Sequence, residues 1–135
     1  MSDKEELSNI SNKGVEVTTK TILIVEDDDS IGTFLIDVIL QETPYKAMRV
    51  RDGFQALTAA HNLKPALFIT DYRLPSMDGI ELYDQLHSTQ DLANTPVIIM
   101  SAYLPEQEIK ERHMVCLSKP FELDDLLNTL ERLLA

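Results

Sequence analysis

Three carboxylates, a hydroxyl and an ammonium stand at the ends of four short apolar runs in this chain. Ile22-Leu23-Ile24-Val25 stops at Glu26-Asp27, and Leu67-Phe68-Ile69-Thr70 stops at Asp71. Val97-Ile98-Ile99-Met100 stops at Ser101, and Val115-Cys116-Leu117-Ser118 at Lys119. Carboxylates packed side by side repel, so at neutral pH at least one has its pKa raised unless a cation sits among them. Oxygen-only ligands favour a hard ion such as Mg²⁺, which takes one or two carboxylates together with water and phosphate oxygens. With Lys119 adjacent, and Ser101 able to hydrogen-bond an arriving oxyanion, these parts suit phosphoryl transfer, where catalysis is mostly positioning and charge neutralisation.

Asp71 is the best candidate nucleophile, since carboxylates can carry phosphoryl groups covalently. The product is a mixed anhydride, labile to water and better suited to switching than to storage. Taken singly, each of these residues has an ordinary structural role. Glu26 or Asp27 would cap a helix, Asp71 would sit in a turn, Ser101 in a loop, and Lys119 in solvent. Their occurrence together at four run ends makes the shared site the stronger reading.

Such convergence requires particular elements. Short continuous apolar runs are the pattern of strands buried on both faces of a parallel sheet. In open α/β sheets the ligand crevice lies just beyond the carboxyl ends of the strands. Between the runs the spacing predicts helices. Ser30 is expected to cap the first, with Ile31, Phe34, Leu35, Val38 and Ile39 as its apolar positions and Thr43-Pro44 as its end. Tyr45 to Val50 is read as a strand, Arg51-Asp52-Gly53 as its turn, and Phe54 to Leu63 as the second helix. The third strand, Ala66 to Thr70, leads through a loop to Asp78. That residue caps a helix from Gly79 to about Ser88, with Glu81 in the capping-box position. Pro96 opens the fourth strand, and Pro105 suits the first turn of a short helix through His113. Leu123, Leu126, Leu127, Leu130, Leu133 and Leu134 define a final amphipathic helix. Right-handed crossovers then predict a (βα)5 chain folded as a doubly wound five-stranded parallel sheet, order 2-1-3-4-5. In that order strands 1 and 3 are neighbours at the switch point, so Glu26-Asp27 face Asp71.

A chain of 135 residues, 44% hydrophobic, fits one domain with a substantial core. Residues 1–20 are polar and aperiodic and are expected to be disordered or loosely attached, with the folded domain at 21–135. The net charge of −11 argues against direct nucleic-acid binding, which needs a basic footprint. Cys116 is the only cysteine, which excludes an internal disulfide and reads as a small buried hydrophobe. No apolar stretch approaches membrane-spanning length, and Asp3, Glu5, Glu6 and Glu16 do not suit a targeting peptide. The protein is expected to be soluble and cytoplasmic, without membrane association. His61, His87 and His113 are expected at the surface, and Tyr45 and Tyr83 in packing.

These residues resemble a known family, the receiver domain of two-component response regulators, which has a flavodoxin-like fold. The matching motifs are Ile-Leu-Ile-Val-Glu-Asp-Asp (22–28), Asp-Tyr-Arg-Leu-Pro-Ser-Met-Asp-Gly (71–79), Met100-Ser101-Ala102, and Ser118-Lys119-Pro120-Phe121. The resemblance implies that Asp71 accepts phosphate from a histidine kinase or histidine phosphotransfer protein, the chain itself being no enzyme beyond self-catalysed phosphorylation and dephosphorylation. It implies that Asp27 and Asp71 ligate Mg²⁺, Glu26 reaches it largely through water, and Arg73 offers its backbone carbonyl. Ser101 and Lys119 would contact the phosphoryl group, and the Lys119-Pro120 bond is expected to be cis. Arg73 and Tyr103 fall where the family flanks the phosphoryl group, and are expected to set its lifetime or to be plain loop side chains.

The chain departs from the family in one region. The position three before Lys119, usually Tyr or Phe, is Cys116. The interval from Ser101 to Lys119 is about one helical turn short, and the usual Gly-Ala pair before strand 5 is missing. Helix 4 is therefore expected to be short or irregular, and the family's aromatic readout is not expected to operate unchanged.

The leading functional expectation is a stand-alone receiver signalling through an unidentified protein target, with a piece of a hybrid kinase or longer regulator as the other origin. An alternative is a receiver-like interaction scaffold that acts independently of phosphorylation. A Mg²⁺-dependent phosphohydrolase is disfavoured because Asp71-Tyr72-Arg73 has no second Asp two residues on. A nucleotide- or flavin-binding site would need a Gly-rich loop where Glu26-Asp27-Asp28-Asp29 stands.

Overall fold

The computed structural model describes residues 19–103 and 105–134. The tail expected at residues 1–20 lies, as far as residue 18, outside the described residues. Lys20 is tied to the domain at both ends: its carbonyl accepts from the Lys46 N–H, and its Nζ donates to the Leu134 carbonyl at 2.9 Å.

Five strands form one parallel sheet: β1 (Thr21–Val25), β2 (Lys46–Val50), β3 (Leu67–Asp71), β4 (Val97–Ser101) and β5 (Val115–Ser118). Their spatial order is β2-β1-β3-β4-β5, the doubly wound arrangement that the sequence pattern predicts. The intervening helices are α1 (Asp29–Glu42), α2 (Gly53–Leu63), α3 (Gly79–His87), α4 (Glu106–Arg112) and α5 (Leu123–Leu134). Among the described residues no helix is long and apolar enough to cross a membrane.

The continuous apolar runs are explained by burial on both faces. On one face Ile22, Ile24, Leu67, Ile69, Ile98 and Met100 pack under α1 and α5, which contribute Leu35, Ile39, Leu126 and Leu130. On the other, Leu23, Val25, Phe68 and Val97 meet Ala56 and Ala60 of α2 and Leu82 and Leu86 of α3. Each fully buried side chain of this size contributes roughly 1.5–3 kcal/mol, whereas a helix cap contributes about 1 kcal/mol. Sheet packing therefore fixes where the strand ends lie, and the caps only trim the helices against it.

The caps correct several boundaries. Asp28, not Ser30, caps α1, its Oδ1 accepting from the Ile31 N–H at 3.0 Å. Asp52 caps α2 one residue earlier than expected, through the Gln55 N–H. Asp78 and Glu81 form the expected reciprocal capping box on α3, both bonds at 2.9 Å. A 3₁₀ turn at Gln90–Leu92, not anticipated, buries Leu92 against the α3 side. Phe34, expected on the buried stripe of α1, is 48% exposed, and Leu123 is exposed at the start of α5. Their neighbours at helical spacing fill the available core.

Helix α4 is short, as the deviant spacing predicts. Seven residues are too few to hold a helix without tertiary support. That support comes from α3. The Arg112 guanidinium donates to both carboxylate oxygens of Asp84 at 2.7 and 2.8 Å, and the Tyr83 hydroxyl donates to the Arg112 carbonyl. These hydrogen bonds hold the Asp84 carboxyl below its ordinary range. His113 ends the helix in the left-handed region at φ 56°, where glycine is the usual residue.

Gly79 starts α3 against the strand that carries Asp71. A Cβ there would stand 2.9 Å from the Asp71 carbonyl oxygen and 3.2 Å from the Tyr72 Cα. Backbone atoms cannot step aside as a side-chain tip can. Gly79→Ala is expected to destabilise the protein by roughly 1–3 kcal/mol, as overpacking does. A urea midpoint equal to that of the wild type would contradict this packing.

Candidate functional site

Register decides which strand ends meet. Val25 of β1 pairs with Thr70 of β3, so the next residues out, Glu26 and Asp71, leave adjacent strands side by side. Asp71 in turn pairs with Met100 of β4, and Ser101 pairs with Ser118 of β5. The Lys119 N–H donates to the Ser101 carbonyl at 2.9 Å, which fixes Lys119 at the same rim. The Lys119-Pro120 bond is cis, as the resemblance implies.

Glu26, Asp27 and Asp71 each present a carboxylate oxygen such that these atoms lie within 4.8 Å of one another. Lys119 Nζ reaches Asp71 Oδ1 at 3.4 Å and Glu26 Oε1 at 3.8 Å. Asp27 is exposed, Asp71 is half-buried, and Glu26 is fully buried. Glu26 Oε2 accepts from the Asp28 N–H at 3.2 Å, but Oε1 is buried without a hydrogen-bond partner. Burial pushes the Glu26 carboxyl up from 4.5 to about 7. The Asp28 N–H and Lys119 pull it down, and Asp71 and Asp27 push it up further. An ammonium 3.8 Å away does not offset the loss of water.

These features fit a hard cation. The donors are all oxygen, one of them lacks a hydrogen-bond partner, and the spacing approaches the roughly 3–4 Å between oxygens around one octahedral ion. Three carboxylates against one ammonium leave a formal charge of −2, which one divalent ion cancels.

The remaining predicted residues have different situations. The side chain of Arg73 is exposed in the loop beyond Asp71. Ser101 is buried, and its hydroxyl is engaged: it donates to the Tyr103 carbonyl and accepts from the Tyr103 N–H. The Tyr103 ring itself is 73% exposed. Cys116 is half-buried beside the small cluster of Ile80, Ile99 and Ile109, and burial raises its thiol pKa. His61 and His113 are exposed as expected, but His87 is half-buried, with ring nitrogens bonded to the carbonyls of Tyr83 and Thr95 at 3.1 and 2.9 Å.

Sheet order, acidic pocket and lysine define a receiver domain, and the chain belongs to that family: the response regulator receiver domain model matches residues 22–131. Among curated relatives it is 29% identical to the polar-differentiation response regulator DivK of Brucella ovis, over 84% of this chain and 94% of that protein. Among solved structures, the chemotaxis response regulator CheY4 of Vibrio cholerae is 30% identical with a TM-score of 0.78, covering 87% of this chain and 100% of that one. The receiver domain of the sensor histidine kinase PA1611 from Pseudomonas aeruginosa PAO1 is 27% identical with a TM-score of 0.72, covering 85% and 97%. It was solved with a magnesium ion coordinated in its active-site cleft.

Sequence reasoning passed over two arginines beside the site, Arg49 and Arg51. The only available signal was an arginine inside an otherwise apolar strand segment, Ala47-Met48-Arg49-Val50, which reads as ordinary edge-strand alternation.

A carboxyl whose folded pKa is raised from 4.5 to about 7 holds more protons in the folded than in the unfolded chain across that interval. The ion-free protein therefore loses stability from this group as pH rises through the interval. Glu26→Gln is expected to raise the melting temperature at pH 8, in chelator-containing buffer, by roughly 5 °C and to change it little at pH 4.5. Equal shifts at both pH values would contradict the assignment.

Proposed function

We propose that this chain is a phosphoacceptor module of a two-component or phosphorelay system, phosphorylated on Asp71 in a Mg²⁺-dependent reaction. The observation that carries the reading is the meeting of Glu26, Asp27 and Asp71 within 4.8 Å, with Lys119 Nζ 3.4 Å from Asp71. Asp27 and Asp71 would hold the ion directly, Glu26 largely through water, and Arg73 through its backbone carbonyl. Bound there, Mg²⁺ would supply charge neutralisation for phosphoryl oxygens approaching an otherwise anionic pocket. The solved magnesium-bound relative supports this choice of ion.

In the transfer step an Asp71 carboxylate oxygen forms a P–O bond while the P–N bond of a donor phosphohistidine breaks. The bonding pair leaves with the donor imidazole, which takes up a proton. Lys119 holds a phosphoryl oxygen by its charge, and Ser101 gives its hydroxyl to another once its bonds to Tyr103 are released. The donor is a histidine kinase or histidine phosphotransfer protein. Output passes through contacts with a further protein, and the chain turns over no substrate beyond its own phosphorylation and hydrolysis. The surface charge of −11 disfavours direct binding to nucleic acid.

Incubation with Mg²⁺ and a small acyl phosphate is expected to add one phosphoryl group by intact mass. The adduct should be lost in Asp71→Asn and on chelation of the metal. No adduct on the wild type would favour a phosphate-independent scaffold, the reading that Cys116 in place of an aromatic keeps open. An adduct that survives in Asp71→Asn would contradict the choice of acceptor.

A further inference from the structure

The four consecutive acids Glu26-Asp27-Asp28-Asp29 do not share one task. Glu26 and Asp27 turn into the cluster, and Asp28 caps α1. Asp29 faces away and accepts from two arginines of the neighbouring strand end, Arg49 at 2.9 Å and Arg51. The same arginines also reach the backbone of the cluster residues. Arg49 Nε donates to the Glu26 carbonyl at 2.9 Å, and Arg51 Nη1 donates to the Asp27 carbonyl at 3.3 Å. Two guanidinium groups thus hold the carbonyls of two candidate ligands, and one carboxylate holds both guanidinium groups.

From this geometry we infer that Arg49 and Arg51, joined through Asp29, are positioning residues for the cation site, fixing the peptide units that aim Glu26 and Asp27 at Asp71. The inference rests on the reading of that cluster as a Mg²⁺ site.

Three further observations favour a positioning role over a merely stabilising pair. The Arg49 side chain is only 14% exposed, yet one of its terminal nitrogens is buried with no partner. A buried donor left without a partner is destabilising, so the site is not arranged for stability alone. The room for Arg49 comes from a glycine: a Cβ at Gly32, in the first turns of α1, would collide with the guanidinium. Finally, each guanidinium forks between one backbone carbonyl and the Asp29 carboxylate, a geometry that an ammonium cannot reproduce.

Geometry and charge make opposite forecasts, which makes the idea testable. Removing a cation beside a cation site strengthens Mg²⁺ binding by simple electrostatics, and Arg→Lys leaves the charge unchanged. Loss of positioning weakens binding in both cases. Mg²⁺ dissociation constants should be measured on the full chain from amide NMR shifts, with apo melting temperatures recorded in parallel. Arg49→Lys and Arg51→Ala are each expected to weaken Mg²⁺ binding about tenfold, the lower range for supporting residues of metal ligands. A purely structural pair would lower melting temperatures and leave the affinity of the folded protein unmoved. Should Arg49→Lys not fold, Arg51→Ala carries the test, since its side chain is more than half exposed. Affinities within twofold of wild type, or tighter for Arg51→Ala, would overturn the inference. No saturable shift in the wild type would instead overturn the Mg²⁺ reading on which it rests.

Discussion

Parallel pairing of β1 with β3 forces like charges together. Because Val25 lies beside Thr70, the chain cannot leave the sheet there without bringing Glu26 next to Asp71, and Asp27 follows. Glu26 is fully buried and one of its oxygens has no hydrogen-bond partner, so repulsion is not relieved by water. Lys119 relieves it in part, reaching both Asp71 and Glu26. The strain of this arrangement follows from sheet packing, whose buried side chains outweigh it many times over. A pocket built this way favours a bound cation.

Most of the fold was legible from the sequence because three of the five strands, β1, β3 and β4, are buried on both faces. Ile22 to Val25, Leu67 to Ile69 and Val97 to Met100 have no polar interruption, and functional groups stand just beyond their ends. The lapses have local causes. Asp28 and Ser30 are both good caps, and only the path of the chain out of β1 decides between them. Phe34 follows helical spacing but falls on the edge of the stripe that α1 turns to the sheet. The turn at Gln90–Leu92 has no periodic signature at three residues. His87 bonds to two carbonyls because Thr95 returns beside α3, a contact invisible in one dimension.

The site was legible residue by residue, but its support was not. Glu26, Asp27, Asp71 and Lys119 come together, while Ser101 is adjacent with its hydroxyl already occupied by Tyr103. Arg49 and Arg51 went unnoticed because their partners are backbone carbonyls 23 and 24 residues away. The departures seen near Cys116 do have structural counterparts. Helix α4 is seven residues long and is fastened to α3 through Arg112, Asp84 and Tyr83. Strand β5, Val115–Ser118, carries no aromatic residue.

Whether the carboxylates at the ends of β1 and β3 share one ion decides what this pocket does. Crystals grown with Mn²⁺ as a stand-in for Mg²⁺, measured for anomalous scattering, address this directly. One dominant peak bonded to carboxylate oxygens of Asp27 and Asp71, beside Glu26, is the predicted result. Peaks scattered over the acidic surface, with none between those residues, would contradict it.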